Sequence, residues 1–151
     1  MKQLTISKIK EGTVIDHINA GKALLVLKIL GIHPNSMETV SMAMNVPSKK
    51  MGKKDIVKVE GKFINEEQLN KIALIAPNAT INLIKDYEIQ KKFKVVLPEF
   101  IEGIIRCPNK NCISNSNEPI TPKFHVWFDK EVIAKCHYCN KKVKEISVYI
   151  Y

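Results

Sequence analysis

An α+β architecture is predicted by three features of this sequence. Up to about residue 96, segments of strand and helix periodicity follow one another as β-α-β-β-α-β, with one further strand. That order is the split-βαβ, ferredoxin-like pattern, an antiparallel sheet carrying two helices on one face. All four cysteines then fall in two hooks, Cys107-x4-Cys112 and Cys136-x2-Cys139, with 23 residues between them. Between the hooks, residues 124–128 and 132–134 read as a hairpin, so the C-terminal part is expected to be a small β, zinc-ribbon-like module.

The elements follow in order. Residues 4–10, with Leu4, Ile6 and Ile9 apolar, are expected to form the first strand, and Gly12 to turn the chain into a short extended piece ending on Asp16 and His17. Asn19 is placed to cap a helix over 20–30, which Gly31 and then Pro34 would stop. Residues 39–45 and 55–60 alternate cleanly as two strands around a turn-rich connector at 47–52. Asn65 with Gln68 has the form of a capping box, opening a helix that Pro77 ends. Residues 79–84 and 87–96 are the last two strands of this part. The organisation expected is therefore a domain over 1–97 and a second over 98–151, with 98–103 as linker.

Composition narrows the function. At 151 residues and 45% hydrophobic, the chain can bury a core. It has neither an apolar run long enough to span a bilayer nor the apolar stretch of a secretion signal, so a cytoplasmic location and no membrane partner are expected. The net charge is +9, with 16 Lys and Arg against 9 Asp and Glu up to Val96, and 8 against 6 beyond it. The basic excess thus lies away from the cysteine hooks, which argues for an anion site in the first domain and against nucleic acid gripped by the second. Phosphate-binding, dinucleotide-binding and nucleophile-elbow motifs are absent, and Asp16-His17 has no Ser or Cys nearby, so a small enzyme is disfavoured.

Two hooks at this spacing can bring Cys107, Cys112, Cys136 and Cys139 to the corners of a tetrahedron around a structural zinc, with no position left for water or substrate. An Fe–S cluster or two disulfides are the alternatives; the lack of a secretion signal weighs against the disulfides. With the thiolates completing the shell, His33, His125 and His137 read as surface or hydrogen-bonding residues, and Trp127 as hairpin core.

Several separate words carry a resemblance in register. They are Gly12-Thr-Val-Ile-Asp-His17-Ile18, Asn45-Val-Pro-Ser with Met51-Gly-Lys-Lys-Asp55, Ala76-Pro-Asn-Ala-Thr80-Ile-Asn82, Leu97-Pro98 and Cys107-Pro-Asn-Lys-Asn-Cys112-Ile-Ser114. From end to end the sequence resembles the regulatory chain of aspartate carbamoyltransferase. The resemblance implies a non-catalytic subunit that binds the nucleoside triphosphates ATP, CTP and UTP in its first domain and pairs as a homodimer through that domain. It further implies a zinc domain that docks on catalytic trimers joining carbamoyl phosphate to aspartate.

Carried onto matching positions, the effector residues are Ile9, Asp16, His17, Lys58, Asn82, Ile84, Tyr87, Ile89 and Lys92. Lys58 and Lys92 would meet the triphosphate, with Lys94 in reserve for Lys92. Asp16 and His17 would take the ribose, Asn82 would add a polar contact, and the three isoleucines with Tyr87 would form the base groove. Asn109, Lys110, Asn111, Ser114 and Lys141 would face the catalytic chain. Ser7 and Asn140 depart from the acidic residues expected there.

Overall fold

The computed structural model describes residues 9–151. A five-stranded antiparallel sheet has the order β2-β3-β1-β4-β5, formed by β1 (Glu11–Asn19), β2 (Val40–Ser48), β3 (Gly52–Glu60), β4 (Thr80–Lys85) and β5 (Glu88–Lys94). Helices α1 (Ala23–Ile29) and α2 (Glu66–Ile75) cover one face. The core between the layers joins Ile15, Ile18, Val57, Val59 and Ile81 of the sheet to Val26, Ile72, Ala73 and Ile75 of the helices. Without β5, this is the ferredoxin-like arrangement expected from the element order.

The central strand is not where sequence periodicity placed the first strand. Residues 4–8 of that segment lie outside the described residues, and β1 runs through the piece read as a turn. Gly12 misleads because it is part of the strand: a Cβ there would run into the Val59 carbonyl of β3, and its φ is +145°. Only glycine lets the two backbones approach so closely.

Helix α1 begins three residues later than Asn19 predicts, and no side chain of its own caps it. The cap comes from β3. The Asp55 carboxylate, fully buried, accepts hydrogen bonds from the backbone N–H of Gly21 (2.9 Å) and Ala23 (3.0 Å), and from Asn45 (2.9 Å) at the irregularity in β2. The helix end follows expectation: Gly31 at φ +76° closes a Schellman motif, with Gly31 N–H to Lys28 O and Ile32 N–H to Leu27 O. The Asn65–Gln68 capping box of α2 is present in both directions.

The second sheet has the order β6-β7-β8-β9, formed by β6 (Phe100–Glu102), β7 (Lys123–Asp129), β8 (Glu131–Cys136) and β9 (Lys142–Val143). Half of the stretch read as linker is thus β6, paired to β7 from Phe100↔His125 to Glu102↔Lys123. Phe124, Val126, Ala134 and Val143 point inward. Trp127 does not: it is 37% exposed on the outer face, because alternation along β7 puts it opposite Phe124 and Val126. Helix α3 (Ile146–Tyr149) ends the fold. Leu74 of α2 packs into this second core, and Ile150 touches both cores, so the two layers are seamed together.

Candidate functional site

Strand register assembles the first site. Lys58 pairs with Val14, Val14 with Asn82, and Asn82 with Lys92, so β3, β1, β4 and β5 place these four residues in one row across the sheet. Their in-line neighbours Ile15, Val57 and Ile81 face the helices, so this row looks out from the helix-free face. The next row toward one end is Asp16, Thr80 and Lys94. On the other side lie Gly12, Ile84 and Ile89.

Each row has its own chemistry. Lys58 and Asn82 are both buried despite facing out. Burial pushes the Lys58 ammonium below the usual lysine value, against the opposing pull of Glu60. The Oδ1 of Asn82 is buried and has no hydrogen-bond partner among the described residues. Asp16 is held by Lys54 at 2.9 Å and accepts the His17 N–H, while His17 Nδ1 lies 3.1 Å from Thr80 Oγ1. His17 has φ +55° where β1 slips register between Ile15 and Ile18. The Asp16-His17 pair therefore sits on a β-bulge, a device that re-aims side chains at functional edges.

Of the apolar set, Ile9 and Ile84 are buried outside both apolar cores, and Ile89 is exposed. Tyr87 is not on a strand. With Asp86 it forms the two-residue β4–β5 turn, both at positive φ as a type I′ turn requires, and it is 58% exposed. Lys92 and Lys94 share a face, two residues apart, so both are available to one anion.

The four cysteines converge without any other element intervening. Their sulfurs all lie within 4.8 Å of one another, with Cys107–Cys139 at 3.6 Å and Cys112–Cys136 at 3.7 Å. A tetrahedral metal with bonds of about 2.3 Å to sulfur sets its ligands about 3.8 Å apart, whereas a disulfide needs about 2.05 Å. The donor set therefore fits a closed four-thiolate metal site. Burial pushes the Cys107 and Cys136 thiols up. At Cys139 burial acts the same way, but hydrogen bonds led by the Lys141 backbone and the Asn109 side chain outweigh it and bring the thiol to about 7.

A second set of contacts shapes the longer hook. Asn109 accepts the Asn111 N–H with its side chain and the Cys112 N–H with its carbonyl. Asn115 donates to the carbonyls of Cys107 (2.9 Å) and Asn109 (2.7 Å), and Ser114 Oγ lies 3.2 Å from Cys112 Sγ. Asn109 and Ser114 thus serve the hook itself, while Lys110, Asn111 and Lys141 are exposed.

Residues 4–96 match the profile of the aspartate carbamoyltransferase regulatory chain, allosteric domain, and residues 99–149 match that of its metal binding domain. The chain belongs to this family. It is 67% identical over 152 residues to the aspartate carbamoyltransferase regulatory chain of Archaeoglobus fulgidus, covering 99% of both chains. To those of Pyrococcus horikoshii and Thermoplasma volcanium it is 56% and 51% identical, covering 98% of this chain and 97% of each relative. As a regulatory chain of aspartate carbamoyltransferase it is a non-catalytic subunit, with an allosteric and a metal-binding part. Among the described residues, no helix is long and apolar enough to cross a membrane.

Sequence reasoning missed Lys54, Thr80 and Asn115. Lys54 lies one residue before Asp55 in a run of lysines, and only the bulge that turns Asp16 toward it marks it out. Asn115 carried a usable signal: an asparagine closing a cysteine hook is a natural partner for the hook's carbonyls.

Proposed function

We propose that this regulatory chain binds ATP, CTP and UTP in competition on the helix-free face of its first sheet and conveys their levels to catalytic trimers. The carrying observation is the single row of Lys58, Asn82 and Lys92, flanked by Asp16, His17 and Lys54 on one side and by Ile84 and Ile89 on the other. A buried lysine costs less beside an anion, and an unpartnered buried carbonyl is relieved by a donor such as a base amino group or ribose hydroxyl. Lys58 and Lys92 take the phosphates, Asp16 and His17 the sugar, Asn82 the base or ribose edge, and Ile9, Ile84, Ile89 and Tyr87 the base.

The thiolates of Cys107, Cys112, Cys136 and Cys139 hold one zinc, which ties the hook that presents Lys110, Asn111 and Lys141 to an acidic catalytic chain. Asn109 and Ser114 set the shape of that hook. The effector domain spans 1–97 and the zinc domain 98–151. Homodimers form through the first sheet, where β2 is an edge strand with Met42 and Met44 exposed. The assembly is cytoplasmic and part of pyrimidine synthesis. A nucleotide preferring one quaternary state shifts the population by that preference, typically about 1–3 kcal/mol.

Calorimetry of Lys58→Ala and Lys92→Ala tests the reading. Both variants are expected to bind ATP and CTP at least about tenfold more weakly, about 1.4 kcal/mol each, with metal content unchanged. Parental affinity in both would overturn the site.

A further inference from the structure

Across the second sheet and the Cys136–Cys139 hook, Phe100, His125, His137 and Tyr138 form a ladder of rings with successive centroids 4.6, 5.2 and 5.2 Å apart. Within it, His125 Nε2 and His137 Nδ1 share a hydrogen bond of 2.9 Å. We infer that His125 and His137 are a second metal site, one that takes a late first-row divalent ion such as Ni2+ or Cu2+ with water completing its shell.

Both imidazoles are fixed from behind. His125 is held in the middle of β7, paired to Lys135 of β8 and Phe100 of β6. The backbone of His137 donates to the Lys123 carbonyl at 2.9 Å. Phe100 packs edge-on against the first ring and Tyr138 edge-on against the second, so neither turns freely. A site on rigid strands with supported rotamers loses little freedom on binding.

The separation suits such an ion. Metal–imidazole bonds of about 2.0–2.1 Å put two ligands about 2.9 Å apart when they meet at a right angle, and about 3.4 Å apart at a tetrahedral angle. The observed 2.9 Å is the length of their mutual hydrogen bond, which a metal would replace. At that spacing the two nitrogens are also placed for neighbouring positions of a square-planar or octahedral ion. Lys123 and Lys135 stand on the same face, with Lys123 leaning over Phe100 at 4.9 Å and toward Glu102 at 3.9 Å. These cations weaken the binding of any divalent ion, so only one bonded strongly by imidazole overcomes them, unlike Ca2+ and Mg2+. His137 is exposed, so the remaining coordination positions open to solvent.

The test uses the full chain with its cysteines already filled with zinc, titrated with Ni2+ by equilibrium dialysis while zinc is assayed in the same samples. One Ni2+ per chain is expected, with zinc retained. His125→Gln and His137→Gln should each weaken nickel binding at least about tenfold, and Trp127→Phe should leave it unchanged. Ni2+ should also raise the melting temperature of the parent and not of His125→Gln. The site is overturned if no saturable nickel binding occurs, if His125→Gln binds like the parent, or if nickel enters only as zinc leaves. Should His137→Gln shed zinc, His125→Gln alone decides.

Discussion

The Lys54 ammonium lies 2.9 Å from the Asp16 carboxylate, bridging the start of β3 to the bulge in the central strand. Without that lysine, Asp16 would present an uncompensated negative charge beside the row proposed to receive phosphates. Lys54→Ala is therefore expected to weaken ATP binding about tenfold, and Asp16→Asn in the same background to recover part of the loss. Calorimetry on the two single variants and the double variant measures the coupling; strictly additive effects would dissociate the pair from the nucleotide.

Lys58 gives a pH signature. Its folded value lies below the ordinary lysine value, mainly through burial, so between the two the unfolded chain holds more protons than the folded one. Stability from this group therefore rises as pH climbs through that window toward the ordinary value, and is lower below the window. Lys58→Met, which removes the charge but keeps the stem, should be more stable than the parent at pH 7 and lose that advantage as the window is crossed. Urea denaturation across a pH series reads this directly.

Asp55 satisfies three backbone donors, from the β1–α1 turn, α1 and β2, while fully buried. Asp55→Ala would orphan the N–H groups of Gly21, Ala23 and Asn45 together. A loss of about 2–4 kcal/mol is expected by denaturant titration, larger than for any exposed carboxylate of the chain.

Metal removal should act locally. A small sheet tied by four thiolates draws much of its folding energy from the metal, so chelation or Cys112→Ser should unfold the second sheet while sparing much of the first. The single tryptophan, Trp127, lies on β7 and reports the change: a red-shifted emission is expected with most far-ultraviolet dichroism of the first sheet retained. Acidification should do the same, since thiolates must be protonated to let the metal go.

How much of this was legible in the sequence depended on whether a signal was local. The capping box of Asn65 and Gln68, the Gly31 stop and the paired cysteine hooks are each written within a few residues, and each is present as read. The central strand was misread because Gly12 is required by Val59, a residue 47 positions away along the chain. The start of α1 was misread for the same reason, its cap being Asp55 from another strand. Trp127 went to the wrong face because a hairpin of unknown register gives no parity. For the residues proposed to meet effectors, resemblance supplied the identities, whereas the alignment of Lys58, Asn82 and Lys92 in one row is a property of strand pairing.

Helix α2 is buried on two sides at once: Ile72, Ala73 and Ile75 belong to the first core, and their neighbour Leu74 to the second. A cylinder gripped on two sides in this way resists rolling, and close-packed interiors deform in steps instead of gradually. Any adjustment of the first sheet that rolls this helix must therefore reseat Leu74 among its far-side neighbours, so the two halves of the polypeptide share one mechanical hinge pin instead of a loose tether.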